Sequence, residues 1–350
     1  MALLNNRNKR TAVIGAIDHA RRPVLACLQS VGWRQTIKLL VTPLVVILTF
    51  SLLVLAATAK AQPSSEAPAL STVEANGTRL AYLEQGRGDP IVLVHGTLAD
   101  YRAATPLIPP LSRSYRVITY SRRYHHPNAV PREGIDGADY AFGLHAQDLA
   151  AMIKVLSLGR VHVIGHSTGA ITALLLARDN PQLVRTLVLG EPGLRSLLTT
   201  NPKDVALMEE ELSGTIRPAQ EALRRDDLLA GVRAFIDGRN GRAGVFDQLP
   251  PPVRARLMEN APALKAELVL GPGLPGFTCS DAYQVRQPAL LLIGQRSLPF
   301  FHRISEELSR CLPNARTGVI TGVPHGGIFS GNVEEAAKAI FAFLDSRPGG

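Results

Sequence analysis

Gly165-His166-Ser167-Thr168-Gly169 stands directly after the apolar run 161–164 and directly before Ala170-Ile171-Thr172-Ala173-Leu174-Leu175-Leu176. A serine hydroxyl serves as a nucleophile where a sharp strand-to-helix bend presents it at a sheet edge, and so tight a bend wants small residues on both sides. The hydroxyl is a poor nucleophile at neutral pH. A histidine must take its proton, and a carboxylate must orient that histidine. His325, in Gly322-Val323-Pro324-His325-Gly326-Gly327, follows the last strand and precedes the last helix, so its loop should return to the edge where Ser167 sits. It is read as the base. Of the other histidines, His19 lies in the N-terminal arm, His162 inside a strand, and His166 within the bend itself. His125 and His126, after Tyr120-Ser121-Arg122-Arg123-Tyr124, read as solvated or substrate-edge residues.

The carboxylate is the harder assignment. In hydrolases built on such a bend the order is serine, then acid, then histidine. The turn after the penultimate strand, Gly294-Gln295-Arg296-Ser297-Leu298, holds no acid. Glu191 ends the strand that follows the serine's helix and should reach the same sheet edge, so it is preferred. Asp281, just before the next strand, is the alternative. His95-Gly96-Thr97 closes another apolar strand, and the backbone N–H groups of Thr97 and Thr168 are expected to form the oxyanion hole. His95 is then structural, bonding the loop rather than moving protons.

These positions need a scaffold, and the pattern supplies one. Asn76-Gly77 between residues 71–75 and 78–84 is a strong hairpin signal. Segments 91–94, 115–120, 161–164, 186–189 and 289–293 are short apolar strands, the first suited to burial on both faces. Leu149, Met152, Ile153 and Leu156 stripe one helix. Val333, Ala337, Ile340, Phe341 and Leu344 stripe the last, with Asn332 as its cap. Strands separated by helices imply an α/β fold with a mainly parallel sheet, entered by an antiparallel hairpin. Between Glu191 and Gln287 the pattern is helical and charged, interrupted by Pro250-Pro251-Pro252, as in an insertion set on the sheet.

Taken together, Val94-His95-Gly96, Gly165-His166-Ser167-Thr168-Gly169 and Pro324-His325-Gly326 resemble the α/β-hydrolase superfamily, over about residues 72–344. The resemblance implies an eight-stranded, mostly parallel sheet flanked by helices, with core segments 71–194 and 286–346 and a helical cap over 195–285. Ser297 departs from the pattern, since many members place aspartate there. Members laid out like haloalkane dehalogenases instead take the acid from the end of the strand after the bend, where Glu191 lies. Dehalogenase and epoxide hydrolase chemistry uses a carboxylate nucleophile, and this bend carries Ser167.

The net charge of +9 is concentrated at the front: residues 1–61 carry eight Lys/Arg against one acid, Asp18. The remainder is nearly balanced, which removes the main support for a nucleic-acid partner. Residues 39–57 are free of charge and long enough to span a bilayer, as a transmembrane helix or the hydrophobic core of a signal peptide. The basic arm 1–38 should stay cytoplasmic and the rest cross. Ala59-Lys60-Ala61 fits a signal-peptidase site. A membrane-anchored protein with its catalytic domain outside the cytoplasm, and export after cleavage near Ala61, both remain open, and 58–70 is a linker. Cys27, Cys279 and Cys311 are too few for a disulfide framework. An oxidising compartment would permit a Cys279–Cys311 bond. Cys311 shares a helical face with Ile304, Leu308 and Leu312 and reads first as a core residue.

The leading expectation is a serine hydrolase that opens an ester or related carbonyl substrate through an acyl-enzyme, with no metal or organic cofactor needed. C–C bond hydrolysis or peracid formation would use the same site. A non-catalytic, membrane-tethered binding protein is the other class, supported only by the missing acid at Ser297. Leu194, Leu197 and Leu198 fit either an apolar substrate group or plain core.

Overall fold

In the computed structural model, which describes residues 69–128 and 137–346, the folded chain opens with β1 (Ser71–Ala75) and β2 (Thr78–Gln85). Asn76 and Gly77 between them have positive φ, 49° and 71°, as a two-residue turn matched to the strand twist requires. Strands β3 (Pro90–Val94), β4 (Arg116–Tyr120), β5 (Val161–His166), β6 (Val184–Gly190), β7 (Ala289–Gly294) and β8 (Ala315–Ile320) complete the sheet. Its eight strands run in the order β1-β2-β4-β3-β5-β6-β7-β8. The pairs β1–β2 and β2–β4 are antiparallel, and the other five are parallel.

Successive side chains of a strand point to opposite faces, and both faces are apolar here. Val92 and Val94 join a cluster with Leu174 and Phe301, while Ile91 and Leu93 join another with Ile340 and Phe343. Helices Phe142–Val155, Thr168–Asp179 and Pro299–Cys311 cover the first face, and Val333–Asp345 covers the second. Each fully buried aliphatic side chain of this kind contributes about 1.5–3 kcal/mol, so the sheet is a rigid base for whatever its loops carry.

Between β6 and β7 the chain forms helices and no strand. The principal ones are Pro202–Glu211, Arg217–Arg224, Leu228–Arg239 and Pro251–Glu259. The proline triplet breaks nothing: Pro251 opens its helix, where the missing N–H is not needed. Ile216, Leu223, Val232, Phe235 and Leu264 form an apolar interior that belongs to this insertion, joined by Leu98 from the sheet side. Phe277, Ala282 and Val285 pack with the sheet's own cluster, so the insertion has rejoined the base before residue 285. Leu194 and Leu198 are fully buried in that cluster as well. They are core, and no part of a substrate wall.

Cys311 is buried on its helical face but does not stand alone. It forms a disulfide with Cys279, which corrects the reading of an ordinary core cysteine. The bond ties the start of helix Cys279–Gln284 to the end of Pro299–Cys311. The basic arm 1–38, the apolar segment 39–57 and the linker up to residue 68 lie outside the described residues. Among the described residues no helix is long and apolar enough to cross a membrane.

Candidate active site

Chain order reverses on either side of β3, whose neighbours are β4 and β5. In open parallel sheets the crevice outside the carboxyl ends at such a reversal is where ligands bind. Thr97 follows β3 and Ser167 follows β5, so both stand at that crevice. Ser167 has φ 54° and ψ −119°, a sparsely populated conformation of the kind found at functional sites. The flanking glycines are demanded by contact. A Cβ on Gly165 would lie 2.5 Å from the Gly169 carbonyl oxygen, and one on Gly169 would collide with the carbonyl oxygens of Val94 and His95. The serine N–H donates to Gly190 O at 2.7 Å, which fastens the bend to the end of β6.

Glu191, the next residue, is fully buried with φ 45°. Its Oε1 accepts from the Gly294 N–H at 2.8 Å, and its Oε2 lies 2.6 Å from His325 Nδ1. With Nδ1–H donating to the carboxylate, His325 Nε2 carries a free lone pair. His325 is 6% exposed, and its imidazole stacks on Phe301, ring centroids 3.9 Å apart. His166 Nε2 donates to the His325 carbonyl oxygen at 2.8 Å, and the two rings are 4.7 Å apart. The residue before the serine thus holds the backbone of the histidine. Burial, helped by the Arg239 guanidinium, pushes the His325 imidazolium well below its ordinary pKa. Burial pushes the Glu191 carboxyl up, against the Ser297 hydroxyl and the Gly294 amide.

Thr168 opens its helix, so its N–H has no partner four residues back. Among the described residues neither that N–H nor the Thr97 N–H is taken by another protein group. The Thr97 and Thr168 hydroxyls are 3.1 Å apart. Behind them lies a group that the sequence pattern does not reveal. Arg122, with no exposed surface, donates from Nη2 to Gly96 O at 3.2 Å and to Thr168 Oγ1 at 3.3 Å, and pairs with Glu267 at 2.8 Å. Its backbone N–H donates to His95 Nε2 at 2.9 Å, which leaves the proton on His95 Nδ1, bonded to Gly96 O at 2.8 Å. His95 is therefore a neutral structural residue. His125 is no surface residue: it is 1% exposed, with Nε2 3.4 Å from Glu267 Oε1. Arg122 and Glu267 lie 145 positions apart, a pairing that no local pattern signals.

Asp281 is committed elsewhere. Its carboxylate accepts from the Thr278 N–H and hydroxyl at 2.8 and 2.7 Å and pairs with Arg178 at 3.0 Å. Of the two candidate acids, Glu191 is the one that meets His325. Among the described residues no group of histidine, cysteine or carboxylate side chains is arranged to hold a metal ion.

The family model described as alpha/beta hydrolase fold matches residues 89–331. A 2-(acetamidomethylene)succinate hydrolase of Mesorhizobium japonicum is 25% identical over 279 residues, covering 75% of this chain and 90% of that protein. A soluble epoxide hydrolase of a Corynebacterium species is 33% identical over 135 residues, 38% of this chain and 46% of that one. Among solved structures, the carboxylesterase CesB of Bacillus subtilis superposes with a TM-score of 0.61 at 16% identity, covering 81% of this chain and 94% of its own.

Proposed function

This chain belongs to the α/β-hydrolase family, and on that premise we propose that it is a serine hydrolase acting on an ester or related carbonyl substrate through an acyl-enzyme. Ser167 Oγ attacks the carbonyl carbon while His325 Nε2 takes its proton. Glu191 holds the imidazole and faces the positive charge that develops on it. The oxyanion of the tetrahedral intermediate is received by the N–H groups of Thr97 and Thr168. Collapse expels the leaving group, which takes the proton from His325. Water, deprotonated by the same nitrogen, then releases the acid and restores the serine.

The observation that carries this reading is the 2.8 Å bond from His166 to the His325 carbonyl. It couples the loop of the base to the bend of the nucleophile across 159 positions of sequence. A serine at that bend argues against chemistry that needs a carboxylate nucleophile, although one relative is named an epoxide hydrolase. The relative named a hydrolase over 90% of its length supports hydrolysis. The test is labelling with a fluorophosphonate. The protein is expected to label and Ser167→Ala to lose the label; a well-folded wild type that stays unlabelled favours a binding protein.

The folded domain is also proposed to act outside the cytoplasm, anchored by residues 39–57 or released near Ala61. Its support is the basic arm ahead of the apolar run and the Cys279–Cys311 bond, which persists in oxidising compartments. Protease added to intact cells after permeabilising any outer envelope should digest the domain, whereas protection until the inner membrane is lysed would overturn the placement.

A further inference from the structure

The pocket in front of Ser167 has a cavity volume of about 80 Å³, and Arg195 and Arg239 stand in its wall. Arg195 lies on the loop leaving β6, and Arg239 ends the helix Leu228–Arg239. Both reach Glu211. Arg195 Nε and Nη2 donate to its two oxygens at 2.8 and 3.1 Å, and Arg239 Nη1 lies 2.8 Å from Oε1. Glu211 is 3% exposed. Two cations therefore share one buried anion in direct contact, with Glu191 a further attraction on Arg239, and both guanidinium-bearing residues line the pocket.

The other acid of the wall does not offset it. Glu267 is paired with Arg122. The Nε of Arg239 is buried and has no hydrogen-bond partner among the described residues. Its guanidinium lies over the rings of Phe235 and Phe301, at 5.0 and 5.3 Å from their centroids, and Phe301 in turn stacks on His325. Burial pulls the Arg239 pKa down to about 10 despite the attraction of Glu211. A buried cation is unfavourable until an anion meets it, and guanidinium forks favour carboxylates.

We propose that Arg195 and Arg239 form a carboxylate subsite, so that the substrate opened at Ser167 is a small ester or amide carrying a second, ionised carboxylate. The inference rests on the serine-hydrolase reading. In it the carboxylate completes the charge balance of the Arg195–Glu211–Arg239 group while the scissile carbonyl meets the Thr97 and Thr168 amides. A neutral substrate of equal size leaves the excess charge unmet.

Two matched pairs of esters test this. For a carboxylate on the acyl side, para-nitrophenyl butyrate is compared with the mono-para-nitrophenyl ester of succinic acid. For one on the alcohol side, phenyl acetate is compared with para-acetoxybenzoate. In at least one pair the charged member should have the higher kcat/KM by about tenfold or more, and Arg195→Gln and Arg239→Gln should each erase most of that ratio. A ratio at or below unity in both pairs, or one that neither variant moves, overturns the subsite. Should the variants fail to fold, inhibition of the wild-type protein serves instead: benzoate must inhibit neutral-ester hydrolysis more strongly than benzamide, and equal inhibition overturns the proposal. Fluorophosphonate labelling of the same preparations separates the two readings. Labelling without carboxylate preference removes the subsite alone, and loss of Ser167 labelling removes both.

Discussion

Glu191 and His325, 134 positions apart, meet at 2.6 Å in the interior of the protein. The other carboxylate oxygen is held by the Gly294 amide at 2.8 Å. One acid at the end of β6 is thereby fixed from the end of β7.

Glu191→Gln keeps the shape and removes the charge that faces the imidazolium. It should lower kcat by about 10³–10⁴-fold, whereas Asp281→Asn, which loosens a helix cap and an ion pair with Arg178, should leave turnover close to wild type. Steady-state kinetics on one chromogenic ester checks the ranking, and the reverse order would reassign the acid.

The base must be neutral to accept the serine proton, and its pKa is held below the ordinary 6.5 by burial and by Arg239. Activity should therefore persist as pH falls through that value and decline only below it. Removing the Arg239 charge relieves the imidazolium, so Arg239→Gln should move the acid limb of kcat/KM toward higher pH. The measurement uses a neutral ester, so that the substrate does not titrate. A limb that stays put or moves down contradicts the assignment.

Arg122 never touches the pocket surface, yet its Nη2 bonds the carbonyl of the peptide whose N–H belongs to Thr97. A guanidinium on that oxygen polarises the amide toward the oxyanion. Arg122→Met/Glu267→Gln, which leaves no unpaired buried charge, should lower kcat about tenfold or more with a smaller change in KM, and should weaken a boronic acid inhibitor in parallel. Loss of stability with an unchanged boronate affinity would leave Arg122 a purely architectural role.

The disulfide closes a loop with a sequence separation of 32 residues. Loop entropy alone makes such a bond worth roughly 3–4 kcal/mol. Cys279→Ser/Cys311→Ser, or reductant on the wild type, should shift the denaturant midpoint down accordingly. An unchanged midpoint would mean that the bond does not form in solution.

Much of this was legible in the residues. The Asn76-Gly77 turn, the buried strands and the serine's bend are local signals, written within a few positions each. Strand β8 was not. It lies at the sheet edge with only Ile320 of its six residues buried, so no apolar run marks it. The Glu191 assignment was reachable because strand order fixes which chain ends share an edge. By contrast, nothing local in the sequence marks Arg122, Arg239 or Glu267, because their burial depends on neighbours far away in sequence. The cysteine pair failed for a related reason: a helical face says that Cys311 points inward, and nothing about what it meets there.

Among the described residues Leu98 is the one sheet-side residue in the apolar cluster that fills the insertion. The apolar interiors of scaffold and roof are therefore filled largely apart, while the Arg122–Glu267 pair ties the two together. Mutational drift among the roof's apolar residues can remodel the chamber above Ser167, and with it the range of molecules admitted, while the apolar clusters of the sheet keep their own packing.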